Sequence, residues 1–211
     1  MLSLILFVSQ EPTSQAKTIW ATQKDAVWEV ERNASTGWER GGTAFIVQHG
    51  NYQYVVTCKH VTEAKEMAIE DNKLVEKPYK GFRVKKAYEI KDIKFVSMKD
   101  QDIAAAKVSG FKKSARISLL QPMVGDKVFA LGFPSDEFLT ISEGIVNRVS
   151  NIDGHPHIGH SAGLYFGNSG GPLFNESGEV VGVNNLKHRD AAHLYWAEPT
   201  GSKFREFLEK L

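Results

Sequence analysis

The sequence contains a single cysteine, Cys58, in 211 residues. No internal disulfide framework can therefore staple the fold, and a packed core must carry its stability. A lone cysteine is most often a small buried hydrophobe. No apolar run approaches the roughly 20 residues that a membrane-spanning helix needs. The apolar opening stretch, Met1 to Val8, is short and includes Ser3, so no integral span is expected. Neither sign of charge dominates, with 26 basic against 25 acidic residues and a net charge of +1. That balance removes the electrostatic argument for a nucleic-acid partner. A zinc-binding pattern is also missing. His155, His157 and His160 lie close together, but no cysteine or carboxylate cluster completes a ligand set. They read instead as a strand or loop bordering a binding pocket, and no cofactor is implied.

What remains is the composition of an ordinary globular chain, 42% hydrophobic and 24% charged, sized for one large or two small cores. No Lys or Arg precedes the apolar stretch, yet Ser14-Gln15-Ala16 has the small residues of a cleavage site. Residues 1-16 are thus expected to be a truncated export signal or a short N-terminal segment, and the protein secreted or periplasmic, with a cytoplasmic location as the alternative. From there the pattern is β-rich. Val27, Trp28 and Val30 mark a first strand, and Gly41–Val47 and Tyr52–Thr57 flank a turn at His49-Gly50-Asn51 as a hairpin. Further short strands are expected around Gly81–Val84, Ile90–Val96, Ile103–Val108, Val128–Leu131, Leu139–Val149, Glu179–Asn184 and His193–Ala197, with Gly144 suggesting a bulge or bend. Short strands punctuated by Gly, Pro and Asn argue for paired β-barrels. Only the C-terminus departs from this pattern. Phe204, Phe207, Leu208 and Leu211 fall at helical spacing, and Ser202 is a plausible N-cap. Trp20, Trp28, Trp38 and Trp196 are too dispersed to form a binding stripe and read as packing anchors.

The chemically distinctive stretch is Gly167-Asn168-Ser169-Gly170-Gly171-Pro172-Leu173. A hydroxyl nucleophile among glycines lets the backbone approach a substrate carbonyl, and nearby amides can stabilise a developing oxyanion. Gly167, Asn168 and Ser169 are the candidates for that oxyanion hole. A serine is a weak nucleophile unless a base and an orienting acid accompany it. His60, at the end of the strand ending Thr57-Cys58, and Asp102, at the entrance to an apolar strand, supply both. Asp100 and Asp92 are weaker candidates for the acid.

With these pieces in place the chain resembles the trypsin-like serine peptidases of the chymotrypsin fold, most closely an HtrA/Deg-type protease domain. The resemblance rests on Gly167–Leu173, Thr57-Cys58-Lys59-His60-Val61, Asp102-Ile103-Ala104, and Val124-Gly125-Asp126 leading to Gly132-Phe133-Pro134. Gly144-Ile145-Val146 and Gly182-Val183-Asn184 add to it, so it covers about Gly41 to Leu211. It implies an all-β fold of two antiparallel six-stranded β-barrels with a C-terminal α-helix. The domain would run over 17-211, with barrels at about 26-110 and 116-200 and the helix at about 202-211. It further implies a triad of His60, Asp102 and Ser169 acting on a protein or peptide substrate through an acyl-enzyme intermediate. The substrate would be held by Gly163 at the base of a specificity pocket and by Asn184, Asn185, Leu186 and Lys187 along a pairing strand. No Asp stands at Gly163, which disfavours an Arg or Lys preference, and Asn184 stands where glutamate-specific relatives carry His. A small or medium apolar side chain is the expected preference. Asn168 replaces the Asp that pairs with a new N-terminus in proteolytically activated relatives, so no such switch is expected. No peptide-binding PDZ domain is expected after the helix. The competing reading is a catalytically silent trypsin-like domain that binds a protein partner, because a fold does not guarantee chemistry. An esterase using the same acyl-transfer machinery is a third. The order His, Asp, Ser opposes an α/β-hydrolase.

Overall fold

The computed structural model describes residues 14–71, 73–135, 138–152, 154–185 and 194–211. Its N-terminal half opens with helix α1 (Ser14–Gln23), whose Ala16 and Ile19 are buried, followed by a single tight helical turn at Lys24–Ala26. Strands β1 (Val27–Ala34), β2 (Gly37–His49) and β3 (Tyr52–Thr57) follow, the last two forming the expected hairpin. A one-turn helix, α2 (Lys59–Thr62), leaves the end of β3. Strands β4 (Lys65–Glu70) and β5 (Lys73–Pro78) form a hairpin of their own. Then come β6 (Phe82–Lys86), β7 (Glu89–Ile93), β8 (Val96–Ser97) and β9 (Ala104–Val108). Seven of these strands order as β7-β6-β1-β2-β3-β9-β8.

The C-terminal half comprises β10 (Ala115–Ile117), β11 (Lys127–Gly132), β12 (Thr140–Ile152), β13 (His155–His160), β14 (Pro172–Phe174), β15 (Glu179–Asn185) and β16 (Tyr195–Pro199). Six of them run β14-β11-β12-β13-β16-β15, and β14 pairs back with β15, closing an antiparallel barrel. Closure leaves those strands without free edges, which removes an aggregation hazard. The short strand β10 pairs in parallel with both β2 and β15 and so links the halves. The all-β architecture and closed six-stranded barrel match the expectation. The N-terminal half differs in detail, holding nine strands, seven of them in one sheet with no ladder between β7 and β8 among the described residues.

Strand alternation explains how one sheet serves two cores. Along β11, Val128 and Ala130 face the barrel interior with Val146, Ile158, Leu173 and Val181, whereas Phe129 and Leu131 join the larger core. Side chains two apart share a face, so β11 is buried on both sides. That larger core joins Trp28, Phe45, Val56 and Ile103 of the first half to Phe174 and Phe204 of the second. The halves are thus packed together through a common apolar layer.

The helix expected at the C-terminus is α3 (Ser202–Glu209), with Phe204 and Leu208 buried. Its N-cap is Gly201 rather than Ser202, and no side chain caps it. The register shift in β12 falls between Val146 and Arg148 rather than at Gly144. The last strand is Tyr195–Pro199, two residues later than expected, and His193 lies outside the described residues. Of the four tryptophans, Trp28 and Trp196 are buried anchors, whereas Trp38 is exposed. Among the described residues, no helix is long and apolar enough to cross a membrane.

Candidate active site

Strand register brings His60 to Asp102. Thr57 pairs with Ala104 at the end of the β3–β9 ladder, so the residues just past each strand end lie side by side. The Asp102 backbone carbonyl accepts from Lys59 N–H at 3.2 Å. Its carboxylate then holds His60 twice. Oδ1 accepts from the His60 backbone N–H at 2.8 Å, and Oδ2 lies 2.5 Å from ring Nδ1. A ring fixed through Nδ1 has a defined tautomer and orientation, leaving Nε2 as its other hydrogen-bonding edge. Asp100 and Asp92 are both exposed, and Asp92 sits opposite Arg83 in the β6–β7 ladder. Asp102 alone of the three grips the imidazole.

The serine loop is fastened to β2 and β15. Thr43 N–H donates to Ser169 O at 2.9 Å, and Thr43 Oγ1 donates to Gly167 O at 2.7 Å. Gly170 N–H donates to Asn184 O at 2.9 Å, and Asn184 Nδ2 donates to Pro172 O at 2.9 Å. Gly170 has φ +87, and a Cβ there would stand 2.1 Å from Thr57 Oγ1 and 2.2 Å from Thr43 O. Only glycine satisfies that backbone conformation and that proximity together. The close approach seats the serine against the strand that leads to His60.

Two peptide planes in the loop are set by bonds on their carbonyl side. Phe166 O accepts from Ser135 N–H at 2.5 Å, and Asn168 O accepts from Gly171 N–H at 3.0 Å. A trans peptide points its N–H opposite its C=O. The N–H groups of Gly167 and Ser169 are therefore turned away from those two acceptors. Asn168 differs from the expectation, because its N–H donates to Tyr165 O at 3.0 Å and is not available to an oxyanion. Beside Gly167 lies a cavity of about 380 Å³ bordered by Glu29, Arg40, Phe133 and Phe166.

The other candidate substrate residues separate. Gly163 is exposed, and its carbonyl accepts from Ser142 Oγ at 2.7 Å. Asn184 and Asn185 are both buried, with side chains turned inward. Asn184 braces the serine loop, while Asn185 Nδ2 donates to Asp102 Oδ2 at 2.9 Å and to Glu198 Oε1 at 3.2 Å. Leu186 and Lys187 lie outside the described residues.

The three clustered histidines are in β13, where His157 and His160 are buried. His157 Nε2 lies 3.3 Å from Glu198 Oε1. The hydrogen bond to Glu198 raises the pKa of His157 above the ordinary histidine value, against the opposing effect of burial. Burial dominates at His160 and pushes its pKa down to about 4, so that ring is neutral. Glu198 was not a sequence candidate. The available signal was a carboxylate directly after the apolar run Tyr195-Trp196-Ala197.

Cys58, His60 and Asp102 bring a sulfur, a nitrogen and an oxygen within 4.8 Å of one another. Their chemistry does not suit a metal. Burial, reinforced by the Asp102 and Glu198 carboxylates, raises the Cys58 thiol well above its usual pKa. The thiol donates to Asn184 O at 3.2 Å, whereas a metal ligand must be thiolate.

Comparison with known proteins followed the same outline. The family model for a trypsin-like peptidase domain matches residues 42–183. The chain is 33% identical over 149 residues to serine protease Do-like HtrB of Bacillus subtilis, covering 64% of this chain and 30% of that protein. Against human serine protease HTRA3 it is 33% identical over 164 residues, covering 69% of this chain and 33% of HTRA3. The chain thus spans about a third of the length of these curated relatives. Among solved structures, a serine endoprotease from Yersinia pestis superposes with a TM-score of 0.71 at 25% identity, covering 95% of this chain and 67% of that one. The active form of the Rv3671c protease of M. tuberculosis superposes with a TM-score of 0.70 at 18% identity, covering 90% and 82%, which speaks to the fold alone.

Proposed function

The chain belongs to the trypsin-like peptidase family, and from that premise we propose that it is an HtrA-type serine endopeptidase working through His60, Asp102 and Ser169. The observation that carries this reading is the double grip of Asp102 on His60, beside a serine loop bonded to Thr43. Ser169 Oγ attacks the scissile carbonyl carbon while His60 Nε2 takes its proton. Asp102 stabilises the imidazolium so formed without itself taking the proton. The tetrahedral oxyanion is received by the N–H groups of Gly167 and Ser169. His60 then returns the proton to the leaving amine as the C–N bond breaks, leaving an acyl-enzyme on Ser169. Water, deprotonated by His60, hydrolyses that ester, and the proton returns to Ser169.

The uncharged Gly163 supports a preference for small or medium apolar residues before the scissile bond. Incubation with an unfolded protein substrate, with new termini read by mass spectrometry, tests the activity and the preference together. Cleavage by wild type and none by Ser169→Ala supports the reading. A folded wild type that cleaves nothing favours the silent, partner-binding alternative.

A further inference from the structure

Through Asn185, the same Asp102 oxygen that faces His60 is linked to a second carboxylate and a second imidazole. Asn185 offers the two protons of one amide nitrogen to Asp102 Oδ2 at 2.9 Å and to Glu198 Oε1 at 3.2 Å. Glu198 Oε1 in turn lies 3.3 Å from His157 Nε2. The side chains of His157 and Glu198 are only 9% and 3% exposed. The result is a continuous series from the part-exposed His60 and Asp102 into the buried Asn185, Glu198 and His157.

We propose that Glu198 and His157 are positioning residues that act on the triad through Asn185, holding Asp102 and setting the pH at which His60 becomes a competent base. This deepens the peptidase reading and rests on it. Ring geometry supplies the charge state. His157 Nδ1 lies 3.0 Å from the His155 carbonyl, and Nε2 faces a carboxylate. Both partners only accept, so both ring nitrogens must donate, and imidazolium is the only form that does. The raised pKa of His157 agrees, and Asp102 contributes to it through space. Buried charges persist when paired and hydrogen-bonded, and Glu198 has its counter-charge in His157. The His157 imidazolium thus sits against Glu198, and Asn185 ties that pair to the carboxylate that grips His60.

The surrounding elements add little competing charge. On β12, the Arg148 guanidinium stands 6.0 Å from the centre of the Trp196 ring, which itself packs edge-on against His157. The Cys58 thiol stays protonated, and His160, three residues along β13, is neutral. Gln101 contributes a neutral amide to the Pro199 carbonyl. Glu198 is thus the nearest anion to Asp102 among these groups, and its loss has a defined sign. Removing a negative charge makes His60 harder to protonate, whereas removing His157 leaves that charge uncompensated and makes it easier.

The test is the pKa of His60 in the full chain, read by NMR titration of its ring in wild type, Glu198→Gln and His157→Gln, alongside the pH profile of kcat/KM. Glu198→Gln is expected to lower the His60 pKa by about one unit and to move the acid limb of activity down with it, as a nearby charge in a protein environment predicts. His157→Gln is expected to move both upward. Folding of each variant is checked by thermal unfolding. Should either fail to fold, Asn185→Ser, which severs the link while leaving both charges, is expected to shift the His60 titration as well. Unchanged His60 titration in folded variants overturns the proposal. The NMR readout needs no turnover, so it separates this failure from an absence of peptidase activity.

Discussion

In the N-terminal sheet, the buried carboxylates Glu29 and Glu31 meet basic partners that reach toward the surface. Glu31 takes Arg83 Nε at 2.5 Å and Lys85 Nζ at 3.1 Å, and Glu29 pairs with the half-exposed Arg40. In the C-terminal barrel, Glu198, His157, His160, Asn184 and Asn185 are instead all buried, and three of them lead to Asp102. Pairs near water are screened and contribute little, whereas buried polar groups are costly unless satisfied. Of the barrel's buried polar groups, Asn185, Glu198 and His157 are linked to Asp102, where chemistry needs fixed geometry. The apolar clusters could close either half without them.

Four changes break or sharpen that contrast, from the largest expected effect to the smallest. Ser169→Ala is expected to lower peptide hydrolysis by a factor on the order of 10⁴ or more with little change in thermal stability, measured by steady-state kinetics beside a melting curve. Gly170→Ala forces a Cβ into Thr57 Oγ1 and Thr43 O at positive φ. It is expected to destabilise the fold by about 3 kcal/mol or more in urea unfolding, because neither backbone nor hydroxyl can yield cheaply. His160 has a folded pKa depressed from 6.5 to about 4. The unfolded chain therefore binds the proton first, and stability falls as the pH drops from about 6.5 toward 4, by at most about 3 kcal/mol. Replacing it by Phe is expected to flatten that dependence in unfolding curves at pH 7 and 5. The raised pKa of His157 has the opposite sign. Its stabilisation is full below pH 6.5 and is lost as the pH rises through its folded value. In the N-terminal sheet, Arg83→Ala leaves the buried Glu31 with Lys85 as its remaining partner and is expected to lower stability by about 1 kcal/mol, an effect that shrinks in high salt. A salt-insensitive loss there would erase the contrast between the halves.

The sequence made the short-range features readable. The glycine-flanked Ser169, the histidine after Thr57-Cys58 and the aspartate before Ile103 are each visible as local words, and the β2–β3 hairpin is announced by Gly50-Asn51. Helix α1 was hidden because Ser14–Gln23 has no sustained apolar stripe. Its small residues read as a cleavage site, although Ala16 and Ile19 pack into the core. Glu198 was hidden for a different reason. Its partners Asn185 and His157 come from other strands of a closed barrel, and register between strands cannot be read from either alone. Likewise, the family resemblance suggested substrate contacts for Asn184 and Asn185, but they face opposite sides of a strand covered on both, and both side chains are buried. The engaged Asn168 N–H shows the same limit, since it depends on the Tyr165 carbonyl folding back over the loop.

The most direct test of the central claim is covalent labelling by a fluorophosphonate, which reports an activated serine without assuming a substrate. Wild type is expected to label once, at Ser169, with Ser169→Ala unlabelled and His60→Ala slowed by orders of magnitude. A folded wild type that does not label, or labelling that survives in Ser169→Ala, would contradict the account.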